Sequence, residues 1–165
     1  MERMLVAIFD SEDKARAAAQ ALEDLDEQSV IDLYADAIVT KDRHDAAKVV
    51  KTHRADPQGR MGGTAVGSLL GVLGGHIGLA LGAAAGFVMG AVTDYAKARV
   101  DRDFVAEVVK ALAPGKTAVV AEIDEESTEP VNARMKALGG RVLRRELSKV
   151  VDTEYERKID ARHAD

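Results

Sequence analysis

The sequence predicts one α+β domain on three observations. Short apolar runs of strand length alternate with stretches whose apolar residues recur every three or four positions. An order of strand, acidic turn, helix and strand occurs twice, once from Val6 and once from Val120. Between the two copies, residues 61–93 hold no Asp, Glu, Lys or Arg, while the flanking chain is rich in charge. At 165 residues, 47% of them apolar, the chain is long enough to bury one core.

The elements follow in order. Met4–Phe9 is an apolar run, and Asp10 and Ser11 behind it are helix-capping residues. The helix predicted from Glu12 to Gln28 has Ala15, Ala18, Ala19, Leu22 and Leu25 on one face and Glu23, Asp24, Asp26 and Glu27 on the other. A strand is expected from Val30 to about Thr40, a polar turn over residues 41–45, and a second strand over Ala46–Thr52 paired with it. Beyond the charge-free window, Asp94–Leu112 reads as helix, stopped by Pro114-Gly115. Thr117–Ile123 is rich in β-branched residues and reads as strand. Thr128 and Pro130 start a short helix, Gly139-Gly140 stop it, and Arg141–Leu147 is a last strand. Val151, Tyr155 and Ile159 give the tail a weak apolar stripe.

Two β-α-β halves plus the Ala46–Thr52 strand predict a ferredoxin-like α+β sandwich, with helices on one face of a mainly antiparallel sheet. The first half takes residues 1–60 and the second residues 94–147. Residues 61–93 form a helical hairpin between them, its second arm continuing as helix to about residue 112, and residues 148–165 form a C-terminal helical tail.

The hairpin rests on its glycines. The window holds ten glycines, six alanines and thirteen larger apolar residues. Gly63, Gly67, Gly71 and Gly75 form one row with a period of four, and Gly74, Gly78, Gly82, Gly86 and Gly90 another. On a helix, positions four apart lie on one ridge, so each row makes a smooth groove in which a second backbone approaches closely. The rows overlap at Gly74-Gly75, the expected turn. Seven glycines away from that turn cost about 6–7 kcal/mol against alanine, and close helix packing is the compensation expected. Leu69, Leu73, Leu79, Leu81, Phe87 and Val88 are expected to flank the groove.

A single membrane crossing would put the halves of the sheet on opposite sides of a bilayer, so an even number is required. Two arms share the window at about 16 residues each, roughly 24 Å of helix against a ~30 Å apolar core. Longer arms, local thinning or a re-entrant path would close the gap. Arg54 and Arg60 before the window, and Lys97, Arg99 and Arg102 after it, suit both ends lying on the cytoplasmic side, with Arg54, Arg60, Lys97 and Arg99 facing lipid headgroups. The competing reading is a soluble homo-oligomer whose hairpins share one apolar core.

Several segments resemble a known family in their order: Asp36-Ala37-Ile38-Val39-Thr40, the glycine rows, Thr93-Asp94-Tyr95, Asp103-Phe104-Val105, Pro114-Gly115-Lys116-Thr117-Ala118 and Leu138-Gly139-Gly140-Arg141-Val142-Leu143. Together they resemble a bacterial family of uncharacterised predicted membrane proteins, a domain of unknown function, similar in layout to glycine-zipper general stress proteins. The resemblance reaches about Leu147. It implies a ferredoxin-like domain carrying a glycine-zipper hairpin and a stress role, with no activity to carry over.

Composition narrows function by exclusion. Twenty-three Lys and Arg against twenty-eight Asp and Glu leave five net negative charges, unsuited to a nucleic-acid binder that works by neutralising phosphates. Without cysteine there are no thiolate metal sites, disulfides or cysteine nucleophiles. The four histidines, His44, His53, His76 and His163, never show the spacing of a helical metal pair, so no metal and no cofactor is expected. Asp32, Asp36 and Asp124-Glu125-Glu126 read as solvated turns and strand ends. The basic residues Lys41, Arg43, His44, Lys48, Lys51 and His53 read either as a solvated face or as a surface against anionic headgroups. No phosphate-binding loop, dinucleotide fingerprint or nucleophile elbow is present.

The apolar run behind Met1-Glu2-Arg3 is too short for a secretory signal, so a cytoplasmic location at the inner face of the membrane is expected. The function expected is a non-enzymatic homo-oligomeric scaffold or anchor, with itself, membrane lipid and a further protein as partners. The alternative is a soluble oligomeric module that binds an apolar ligand such as a lipid or quinone between subunits.

Overall fold

A computed structural model describes residues 1–44, 47–53, 65–71, 73 and 99–148. The first strand, β1 (Glu2–Phe9), leads into α1 (Glu12–Glu27), whose N-terminus is closed by Ser11: its Oγ accepts from the Lys14 N–H at 3.3 Å. The chain returns as β2 (Ile31–Lys41) and β3 (Ala47–His53). Residues 65–71 are helical, α2, followed by α3 (Arg102–Ala111), β4 (Thr117–Glu125), α4 (Glu129–Ala137) and β5 (Arg141–Glu146).

The strands make one five-stranded sheet in the order β3-β2-β4-β1-β5, and every neighbouring pair is antiparallel. β4 and β1, the two strands made almost wholly of buried residues, occupy its middle. With the four helices among the described residues this is the α+β architecture that the alternation of patterns predicts.

The layering differs from expectation. Helices were expected on one face, yet both faces of the sheet are covered. Leu5, Ala7 and Phe9 of β1 and Val119, Ala121 and Ile123 of β4 pack with Ala15, Ala18, Ala19, Leu22 and Leu25 of α1 and Val131 and Met135 of α4. The alternate residues, Met4, Val6 and Ile8 with Ala118 and Val120, pack with Ala65, Val66 and Leu69 of α2 and Phe104, Val105 and Val108 of α3. A strand buried on both sides reads as a continuous apolar run, which is what Met4–Phe9 and Ala118–Ala121 are.

The helix read over Asp94–Leu112 is also corrected, at residues 99–101, which are not helical; the helix begins at Arg102, and residues 94–98 lie outside the described residues. Arg99 takes a left-handed φ of 56°, and Asp101 Oδ1 accepts from the Phe104 N–H at 2.7 Å, which starts a new helix there. Leu112 closes that helix, and Gly115 turns the chain at φ 83°. Thr128 makes no side-chain cap; Ser127 Oγ accepts the Glu129 N–H instead, at 3.3 Å. Gly139 ends α4 at φ 76° as its left-handed stop. Gly140 is needed for a different reason: a Cβ there would lie 2.5 Å from the Phe9 ring.

Candidate functional site

Residues 65–71 are where the glycine window meets the domain. Ala65 and Leu69 lie four apart and are fully buried against the sheet, with Val66 beside them and Leu73 partly buried on the same cluster. Gly67 and Gly71 follow two positions after Ala65 and Leu69, a rotation of about 200°, so they lie on the side of the helix away from the sheet. A Cβ at Gly71 would meet nothing within 4 Å. Leu69 was expected to flank the glycine groove. It belongs to the domain core instead, because its four-residue row is set half a turn from the glycine row.

The other expected hairpin residues, Gly63, Gly74, Gly75, Gly78, Gly82, Gly86, Gly90, Leu79, Leu81 and Phe87, lie outside the described residues, as do Arg54, Arg60 and Lys97. Among the described residues no helix is long and apolar enough to cross a membrane, and no group of His, Asp or Glu is placed to hold a metal ion.

Arg99 is described, and it does not project outward to headgroups. Its side chain is 13% exposed and turns into the protein. Nη1 donates to Glu122 Oε1 at 3.0 Å, Nη2 to Glu2 Oε2, and Nε to the Ser148 carbonyl at 2.7 Å. In return the Ser148 N–H donates to the Arg99 carbonyl at 2.9 Å. The physical reason is the buried acid beneath: Glu122 is 1% exposed in the middle of β4, and a carboxylate there requires a cation. Burial pushes the Glu122 carboxyl up to about 7 from an ordinary 4.5; Arg99 pulls it down and Glu2 adds a smaller push upward.

The opposite face of the sheet carries a second cluster. Glu125, also 1% exposed, accepts from Arg3 Nη1 at 2.9 Å and Arg144 Nη2 at 3.3 Å, and Arg144 Nε lies 2.6 Å from its Oε1. Arg144 Nη1 donates to Asn132 Oδ1 at 2.7 Å, which ties α4 to the same pair. Glu125 was expected to be solvated at a strand end, as was Asp36. Both are buried, whereas Asp32 and Glu126 are exposed and Asp124 is half-buried beside the N-terminal ammonium.

Of the basic residues around the β2–β3 turn, Arg43, His44, Lys48 and Lys51 are exposed, and Lys51 Nζ lies 3.4 Å from Glu23 Oε1. Lys41 is buried and stands apart from that face. Sequence reasoning missed Glu122 and Glu125 as interior acids. Glu122 had a visible signal, a single charge inside the apolar run Ala118–Ile123. Arg3, Arg99 and Arg144 had none, because their partners are distant in sequence.

Chemically, these clusters hold elements together, and Glu122 can take up or release a proton near neutrality. No curated protein and no solved structure matches the chain. Residues 59–160, more than half of the chain, match one family, and the chain belongs to it: "Protein of unknown function (DUF1269)".

Proposed function

We propose that the chain is a non-enzymatic homo-oligomeric scaffold that associates with the cytoplasmic membrane face through residues 61–93. The observation that carries this reading is the two-sided helix α2. Its apolar row docks on the sheet, while Gly67 and Gly71 lie about half a turn from that row, with open space at Gly71. Glycines in a helix are costly, and a row kept off the domain core gains most where a further helix comes close. The length of the charge-free window supports burial of the rest away from water.

The presented domain is read as ferredoxin-like. The order β2-β4-β1-β5, with α1 and α4 on one face, supports that reading, with β3 as an additional edge strand. A catalytic role is not part of the proposal. Glu122, an acid with an upward shift, is buried and held by Arg99, out of reach of a substrate.

The second reading, a soluble assembly around an apolar ligand, is favoured by one observation: α2 commits Ala65, Val66 and Leu69 to the domain core, which leaves less apolar surface for lipid. Flotation of the purified chain with vesicles of anionic and of zwitterionic lipid separates the two. Co-flotation that weakens with salt supports the membrane scaffold. A monodisperse oligomer that stays at the bottom of the gradient rules out membrane association, and a monomer under native mass spectrometry rules out both.

A further inference from the structure

The two ends of the sheet carry opposite charge. At one end Phe9 lies opposite Thr117, Ile8 opposite Arg141 and Lys41 opposite Ala47; at the other, Arg3 lies opposite Glu146 and Ile31 opposite Glu125. The loops and helix ends at the first of these present Lys14, Arg43, Lys48, Lys110, Lys136 and Arg141, all exposed. The exposed acids among them are Asp10, Asp13 and Asp42, and Asp10 is tied to Lys116. At the other end, roughly 30 Å away along β4, stand the exposed acids Glu27, Asp32, Glu126, Glu129 and Glu146.

The separation is sharpest in the layer made by α1 and α4, which cover the same face of the sheet and run in opposite directions. α1 ends on Asp24, Asp26 and Glu27 with no base in its last turn, so these carboxylates add to the negative end of the helix dipole. Asp24 accepts from Gln20 Nε2 and Asp26 from the Leu33 N–H, but Glu27, Glu126 and Glu129 make no ion pair among the described residues. α4 ends instead on Arg134 and Lys136, with Arg141 beyond its glycine stop. Lys14 Nζ stands 3.8 Å from the place of a Cβ on Gly139, which brings it to the same corner. Lys14, Lys136 and Arg141 also make no ion pair among the described residues.

We propose that copies of this chain associate head to tail, with Lys14, Lys136 and Arg141 of one copy docked on Glu27, Glu126 and Glu129 of the next. This deepens the homo-oligomeric reading above and rests on it. Opposite charges at opposite ends of one helical layer make each copy the complement of its neighbour. Screening over about 8 Å in physiological salt separates the two ends of one copy, so each acts on its neighbour alone. A polyanion fits the basic end less well, because Asp13 and Asp42 stand among its bases. An anionic bilayer fits it less well too. The glycine-rich stretch rejoins the domain at Arg99, which holds Glu2 and Ser148 at the acidic end, so a domain tethered there turns its basic end away from the tether. Val100 and Leu147 beside that junction pack on the sheet face opposite α1 and α4, which puts the junction and the docking acids on different sides. The contact is heterologous, and its repetition builds a ring or an open chain rather than a two-fold dimer.

Sedimentation velocity of the full chain at about 50 mM and about 500 mM salt tests this. One variant carries Glu27→Lys, Glu126→Lys and Glu129→Lys, and a second carries Lys14→Glu, Lys136→Glu and Arg141→Glu. The wild type is expected to assemble at low salt and to associate more than about tenfold more weakly at high salt. Each variant alone has two like ends and should lose more than about tenfold in association at low salt, while an equimolar mixture, which brings unlike ends together again, should regain it. An oligomer unchanged in both variants overturns the head-to-tail contact and leaves the homo-oligomeric reading intact; a wild type that is monomeric at both salts overturns both. A mixture that stays unassembled overturns the contact. So does a second variant that keeps its assembly and loses flotation with anionic vesicles, which assigns the basic end to lipid. Should a variant fail to fold, the wild type decides: loss of copies with rising salt supports the contact, and a size independent of salt overturns it.

Discussion

Replacing Glu122 by glutamine isolates the effect of burying one acid in the middle of the sheet. The side chain keeps its shape and an acceptor for Arg99 Nη1, 3.0 Å away, but no longer titrates. In the wild type the carboxyl titrates near 7 when folded and near 4.5 when hydrated, a difference worth about 3 kcal/mol. The protonated form is the one folding favours. This contribution is therefore fully present below pH 4.5 and is lost as pH rises through 7. The stability of Glu122→Gln relative to wild type should thus improve by about 3 kcal/mol between pH 4.5 and pH 7.5, whatever the variant costs at any single pH. Urea unfolding across that range measures it, because the slopes of all other carboxyls are common to both proteins and cancel. A difference constant to within about 0.5 kcal/mol would show that Glu122 is not desolvated in the fold and would refute the reasoning.

Other positions give further expectations. Gly140→Ala places a methyl 2.5 Å from the buried Phe9 ring and should cost about 1–3 kcal/mol in thermal or urea unfolding. Gly71→Ala meets open space within the domain, so monomeric domain stability should rise by up to about 1 kcal/mol, while assembly, read by native mass spectrometry, should weaken if the glycine row receives another helix. Leu69→Ala should cost about 2–5 kcal/mol, since the side chain is in the core; an unchanged midpoint together with lost vesicle binding would return it to the membrane surface. Arg144→Met leaves Glu125 with Arg3 as its described cation and should cost about 3 kcal/mol, more than Glu125→Gln.

Much of the scaffold was legible because local rules and the fold agree. Ser11 caps α1 as the Asp-Ser signal predicts, and Gly139 supplies the left-handed stop where two glycines follow an apolar helix. The break before α3 was hidden because the helical pattern runs unbroken through Lys97, Arg99 and Val100, and only the tertiary pairing of Arg99 with Ser148 interrupts it. The second helical layer was missed for another reason. An amphipathic row and a glycine row share residues 65–71 half a turn apart, and attention to the glycines concealed that Ala65 and Leu69 serve the sheet. Interior ion pairs are the least legible feature: Arg3 and Glu125 are far apart in sequence, and nothing local marks an arginine whose acid lies on a distant strand.

The position of β1 between β4 and β5 sets a timetable for the nascent chain. Met4–Phe9 leaves the ribosome more than a hundred residues ahead of both strands that flank it. Until residue 125 is out, a largely apolar ribbon has neither lateral neighbour, and it lacks β5 until residue 146 follows. Completion of the sheet therefore waits for the second half of the domain, and the stretch matched by the family, residues 59–160, supplies β4 and β5 without the strand that joins them. Expressed alone, that stretch should emerge as an aggregation-prone fragment, and adding residues 1–53 in trans should rescue it.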